Sequence, residues 1–265
     1  MEIKFGSVGW SYAGWKETFY PKSMNPKNYL NFYSKIFDST EVNSTFYNIP
    51  ASSTTKNWFE QTPDNFWFTV KLTQSITHKG RLKPSLELDR FLASMEPLHS
   101  KLKIIVIQLP PSLSFKESKP RLEKMLNHLP KNYGYALEGR QESWFSKESI
   151  EYLTEKNLCL VWNELEGIDN PAPITSDFVY LRMIGDRSIP ESQFGAIIKD
   201  RKYVTKNWVN KIKKLENKTK FVLVLMSNHF AGFSPQSINL MRYELGMNEL
   251  KWTDTTQKSL TDFVK

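Results

Sequence analysis

IKFGSVGWSYAGW (residues 3–15) decides between two folds. It opens as a short strand and runs directly into a turn. In a doubly wound nucleotide-binding sheet, that first turn carries G-x-G-x-x-G, so that bare backbone can approach a pyrophosphate. Here Gly6 and Gly9 stand three apart, Gly14 follows five later, and Trp10, Tyr12 and Trp15 fill the turn. Bulky rings occupy the place where a dinucleotide needs open backbone. The stretch suits the first strand and first loop of a barrel instead.

The rest of the chain alternates in the same way. Seven further β-rich runs follow: DSTEV (38–42), FWFTVK (66–71), KIIVIQL (103–109), YGYALE (133–138), LCLVW (158–162), FVYLRMI (178–184) and KFVLVLM (220–226). Most are short, continuous apolar runs, as expected for strands covered on both faces. Helical spacing fills the gaps: Leu88, Phe91, Leu92 and Met95, then Leu122, Met125, Leu126 and Leu129, then Trp208, Ile212 and Leu215. Near the C-terminus Ser234 is expected to cap a helix, Pro235 to sit in its first turn and Gly246 to end it. NELEGIDNPAPITS (163–176) has two prolines and no helical period, which predicts an irregular connection between the sixth and seventh strands. Eight strands alternating with helices over 265 residues predict a single-domain, TIM-like (β/α)8 barrel spanning residues 1–265.

Composition narrows the function classes. The net charge of +8 favours an anionic partner, a small molecule or a nucleic acid, without selecting one. The single cysteine, Cys159, lies in an apolar run and reads as a small buried hydrophobe. The N-terminus lacks a basic segment followed by an apolar one, and no run reaches the roughly 18 apolar residues of a bilayer span. The expectation is a cytoplasmic protein with no membrane partner.

Barrel active sites form at the carboxyl ends of the strands. Those ends offer Trp10 and Tyr12 after strand 1, and Glu41, Asn43 and Tyr47 around the end of strand 2. Strand 3 brings Lys71, His78 and Arg81, and strand 5 brings Glu138, Arg140 and Trp144. Strand 7 contributes Arg182, and strand 8 is followed by Asn228 and His229. Glu41 and Asn43, like Glu138 and Arg140, are two residues apart and are expected to share a face. The predicted site is polar, net positive and walled with aromatic rings.

Six segments carry a resemblance: GSVGWSYAGWKETFYP (6–21), FDSTEVNSTFYNIP (37–50), FWFTVKLTQSITHKGRL (66–82), IQLPPS (107–112), ALEGRQESW (136–144) and SNHFAGFSPQSINLM (227–241). Together, in order and nearly end to end, they resemble the DUF72 (YecE-like) family. The resemblance implies a TIM-barrel fold. It also implies that Trp10, Tyr12, Glu41, Asn43, Tyr47, Lys71, His78, Glu138, Arg140, Trp144, Asn228 and His229 belong to family motifs. The family has no established reaction; its barrels have been likened to those of endonuclease IV and xylose isomerase, which is a likeness of fold. One departure stands out. Where the family pattern has a histidine after the arginine of the fifth motif, this chain reads Arg140-Gln141-Glu142.

Three functions remain open at this point. In the first, the site binds or hydrolyses a phosphate-bearing anion. Glu41 or Glu138 would be the base, His78 or His229 the acid, and Arg140 and Lys71 would stabilise the developing charge within a basic ring that Arg81 and Arg182 complete. In the second, Glu41 and Glu138 are the carboxylate pair of a glycosidase. In the third, the barrel binds a ligand or protein partner without chemistry. Four histidines without metal-binding spacing argue against a multinuclear zinc centre, while a single Mg²⁺ or Mn²⁺ on the two glutamates is compatible with the sequence.

Overall fold

The computed structural model describes residues 1–83, 85–164 and 170–252, and in it the apolar runs are parallel strands. In chain order they are β1 (Glu2–Val8), β2 (Ser39–Val42), β3 (Trp67–Lys71), β4 (Leu102–Gln108), β5 (Gly134–Glu138), β6 (Cys159–Leu160), β7 (Trp162–Glu164), β8 (Phe178–Met183) and β9 (Phe221–Met226). Between and after them run α1 (Tyr29–Tyr33), α2 (Ser52–Glu60), α3 (Leu86–Met95), α4 (Phe115–His128), α5 (Lys147–Glu155), α6 (Lys202–Lys213), α7 (Asn228–Ala231) and α8 (Ser234–Glu244). The sheet order β6-β5-β4-β3-β2-β1-β9-β8-β7 winds round almost to closure.

The predicted sixth strand is two strands. LCLVW breaks at Val161: β6 pairs with β5, whereas β7 pairs with β8. An unsealed seam lies between the two halves. The irregular connection beyond it supplies the missing hydrogen bonds. Thr175 Oγ1 accepts from Leu160 N at 2.7 Å and donates to the Leu158 carbonyl at 2.8 Å. Asn170 Nδ2 donates to the Val161 carbonyl at 2.9 Å. Polar side chains thus stand in for a strand neighbour, because buried backbone groups must be paired. Residues 165–169 of the connection lie outside the described residues.

Alternation along each strand separates two cores. On β4, Ile105 and Ile107 pack outward under the helices, while Ile104 and Val106 fill the barrel with Ala136, Cys159, Tyr180 and Leu223. Burial pushes the Cys159 thiol up to about 12, consistent with a packing role. The next inward position on several strands is polar. Val106 is followed two residues on by Gln108, Ala136 by Glu138, Thr69 by Lys71, and Tyr180 by Arg182. A two-residue period therefore lifts each polar side chain one layer above the apolar plug, towards the carboxyl ends.

At α8, the expected cap shifts by one residue. Phe233 takes the extended cap position (φ −144°, ψ 98°), and Ser234 begins the helix with its N–H donating to Asn228 Oδ1 at 2.9 Å. Gly246, at φ +78°, ends it as expected. No helix among the described residues is long and apolar enough to cross a membrane.

Candidate active site at the barrel mouth

One guanidinium organises the floor of the site. Arg182, on β8, donates through Nη2 to Glu41 Oε1 at 2.6 Å and through Nη1 to Glu138 Oε2. Both carboxylates are fully buried. Their second oxygens are also engaged: Glu41 Oε2 accepts from the Tyr180 hydroxyl at 2.8 Å, and Glu138 Oε1 from Arg140 Nε at 2.8 Å. Burial pushes the Glu138 carboxyl up, but Arg182, Arg140 and Lys71 together outweigh it and hold it at about 2. Burial by itself would push the Arg182 guanidinium down; the two carboxylates reverse that and raise it above its ordinary value.

Lys71, at the end of β3, is the odd cation. Its ammonium donates to Gln108 Oε1 at 2.8 Å and lies 4.2 Å above the Phe46 ring. It makes no ion pair among the described residues. Burial, reinforced by Arg182, lowers it to about 8 despite the pull of Glu41 and Glu138. Gln108 also accepts from Arg140 at 3.2 Å, so one amide oxygen joins the two cations.

Above this floor opens a cavity of about 290 Å³, lined by Val8, Tyr12, Asn43, Tyr47, Lys71, Arg182, Ile184, Arg187, Glu191, Phe194, Ser227, Asn228 and His229. Two of its groups have orientations set by chemistry. Asn228 Oδ1 accepts from Trp15 Nε1 at 3.1 Å and from Ser234 N at 2.9 Å; both are obligate donors, so Nδ2 must point the other way. His229 Nδ1 faces the Ile189 carbonyl at 3.0 Å and therefore carries the hydrogen, leaving Nε2 for a ligand. Asn228 Nδ2, Arg182 Nε and Asn43 Oδ1 are buried without a partner among the described residues.

The loop between β8 and α6 forms one wall. Asp186 anchors it by accepting from Lys199, Ser188 and Arg201, and the bonds from Lys199 and then Ser188 hold its carboxyl well below the usual range. The loop also lies hard against the first loop of the barrel. A Cβ on Gly14 would meet the Phe194 carbonyl oxygen at 2.0 Å, and one on Gly195, at φ +110°, would meet Gly14 O at 1.9 Å. This contact places Phe194 edge-on to Tyr12 and to His229.

The structure brings Tyr12, Asn43, Tyr47, Lys71, Arg182, Asn228 and His229 into this cavity, with Glu41, Glu138 and Arg140 in the ionic network connected to its floor. Four expected residues lie elsewhere. Trp144 is wholly buried, with Nε1 donating to the Leu113 carbonyl, so it is a core residue. Trp10 packs edge-on to Trp58 and is not part of the lining. Arg81, at φ +50°, turns out to Glu117 on α4. His78, in the turn of π-helix Ser75–Lys79, packs on Phe46 and bonds Thr77; burial, then Lys71 and Arg140, lower its proton affinity.

Sequence reasoning missed Glu191, Phe194 and Ser227 in the lining and Tyr180 beneath it. The available signal for Tyr180 was its two-residue spacing from Arg182 in an otherwise apolar strand. A second cavity, about 310 Å³, lies between residues 197–202 and helices α7 and α8; the unpartnered donors are not in its lining.

A near-closed parallel barrel with its polar cavity at the carboxyl ends of the strands defines an α/β barrel protein of the TIM type. The chain belongs to the family described as "Protein of unknown function DUF72", which it matches over residues 4–260. It is 31% identical over 156 residues to UPF0759 protein YunF of Bacillus subtilis, covering 56% of this chain and 54% of that protein. It is 32% identical over 130 residues to UPF0759 protein YecE of Escherichia coli K12, covering 49% and 47%. The chain thus spans about half the length of these relatives. Among solved structures it superposes on a DUF72 family protein from Thermotoga maritima with a TM-score of 0.77 at 25% identity, covering 92% of this chain and 98% of that one. One from Enterococcus faecalis gives 0.74 at 22%, covering 93% and 98%.

Proposed function

We propose that the barrel-mouth cavity binds a small anion carrying a phosphate group. The observation that supports this best is the set of donors without protein acceptors. Arg182 Nε and Asn228 Nδ2 are buried and unpartnered among the described residues, and Lys71 donates once although an ammonium has three N–H bonds. An orphaned buried donor costs about 1–3 kcal/mol, so a side-chain shift that brings these donors to a ligand's acceptor oxygens recovers that cost. Arg187, exposed at the rim and without an ion pair among the described residues, adds a further cation. The cavity is at the small end of ligand sites, so it suits one small molecule or a single terminal phosphate of a nucleic acid.

Glu138 and its partner Arg182 favour neither a glycosidase nor a divalent-cation site. A glycosidase needs a carboxyl whose proton affinity is raised, whereas Glu138 is held at about 2. A divalent cation would have to take the place of Arg182 between the two carboxylates, and no group of three or more His, Cys, Asp or Glu among the described residues is arranged to hold a metal.

A thermal-shift comparison of ribose 5-phosphate, inorganic phosphate, ribose, and short oligonucleotides with and without a 5′-phosphate tests the proposal. The phosphorylated ligands are expected to raise the melting temperature, less so at high salt and less so in Arg187→Ala. Equal shifts from ribose and ribose 5-phosphate, or no shift from either, would overturn it.

A further inference from the structure

We infer that Lys71 is an imine-forming lysine and that the ligand is a small phosphorylated aldehyde or ketone. The phosphate half of this inference rests on the anion-binding reading above; the lysine half stands on its own geometry.

Five charged groups meet at the floor, and four of them are matched. Glu41 and Glu138 share Arg182, and Glu138 also holds Arg140. Lys71 is left over. It is 6% exposed, carries no carboxylate partner among the described residues, and still lines the cavity. A lysine kept only to balance charge would sit against an acid. This one is held by a neutral amide, beside two arginines and an aromatic ring. Desolvation next to other cations is how an enzyme makes an amine nucleophilic. At pH 8 a group near 8 is about half neutral, while an exposed lysine near 10.4 is less than about 1% neutral.

The rest of the cavity completes the chemistry. Neutral Nζ attacks the carbonyl carbon; the C–N bond forms as the C=O π pair moves to oxygen. A proton then passes from nitrogen to that oxygen, giving a carbinolamine. The nitrogen lone pair closes to C=N as hydroxide leaves with a proton from a cavity acid, and the resulting iminium then gives up its N–H proton, so amine and carbonyl give imine and water. His229, with Nε2 unengaged, and Glu191 are the cavity groups that can carry these protons. Arg182, Asn228 and Arg187, whose side chains also line the cavity, are then left for the phosphate.

The test uses the full chain with dihydroxyacetone phosphate or dihydroxyacetone, each reduced by sodium borohydride and followed by intact mass and peptide mapping. With dihydroxyacetone phosphate at pH 8, one reduced adduct is expected on Lys71. It should form at least about tenfold faster than on any exposed lysine, be suppressed by inorganic phosphate, and be absent from Lys71→Arg. Its rate should rise with pH through about 8; the charges facing the amine are Glu41, Glu138, Arg140, Arg182 and the neighbouring His78. An unmodified Lys71 peptide, with adducts spread over surface lysines, would overturn the inference without needing any variant. The two readings separate cleanly. Equal labelling of Lys71 by both ketones, indifferent to phosphate, keeps the nucleophile and removes the phosphate. A melting shift with dihydroxyacetone phosphate and no adduct on Lys71 does the reverse.

Discussion

Replacing Arg182 with methionine removes the one cation that two fully buried carboxylates share, while keeping most of the side-chain volume. Breaking a buried ion pair from one side costs about 3–5 kcal/mol, because the surviving charge is left desolvated. Glu138 is held at about 2, against an ordinary value near 4.5, by Arg182, Arg140 and Lys71 together, with Arg182 the largest of the three. The pH dependence carries the sign. A depressed carboxyl contributes stability that is present above its unfolded value and is lost as pH falls from about 4.5 through about 2. In Arg182→Met, burial has less to oppose it, so the Glu138 carboxyl is expected to protonate more readily than in an unfolded chain. The deficit of the variant therefore shrinks as pH is lowered from 7 towards 5. Urea unfolding at pH 7 and pH 5 measures both terms, and the melting temperature at pH 7 should fall by about 10 °C. Adding Glu138→Gln to Arg182→Met should recover part of the loss, since the stranded charge goes with it. A loss below about 1 kcal/mol at pH 7, or one identical at both pH values, would refute the view that Arg182 neutralises these carboxylates.

Two further outcomes follow from the site. Gly195→Ala places a Cβ against Gly14 O at a φ of +110°, so it should cost about 1–3 kcal/mol and diminish the phosphate-induced melting shift, because the wall bearing Arg187 and Phe194 must retreat. Trp144→Phe should lower the melting temperature, since it removes the bond to Leu113 and opens a void, yet leave the ligand-induced shift unchanged in calorimetry or thermal shift.

The fold and the floor of the site were legible because a single period governs both. An inward apolar residue followed two positions later by Gln, Glu or Arg is visible in IIVIQ, YALE and VYLRM without any structure. The break at Val161 was not visible. LCLVW is evenly apolar, and the strand divides because its neighbours change, which is a property of partners and not of the run. Aromatic residues were ambiguous for a similar reason: Trp144 and Tyr47 both follow strand ends, but one is wholly buried and the other is 66% exposed. The wall from Arg187 to Phe194 has no period at all. Its place depends on a backbone contact between Gly14 and Gly195, far apart in sequence. Arg81 was read as a mouth cation from its position alone, and its positive φ turns it to α4 instead.

The divided strand has a consequence for how molecules of this protein meet one another. A closed barrel offers no bare strand edge, whereas an interrupted one exposes amides and carbonyls that a second chain can pair with, the first step towards strand exchange or fibre growth. Here Thr175 and Asn170 already occupy Leu158, Leu160 and Val161 from within the same chain. Their side chains cannot propagate a ladder, as another strand would. On the β6 side the gap is thereby stopped with groups that end pairing, so that edge is not presented as a template to neighbouring molecules.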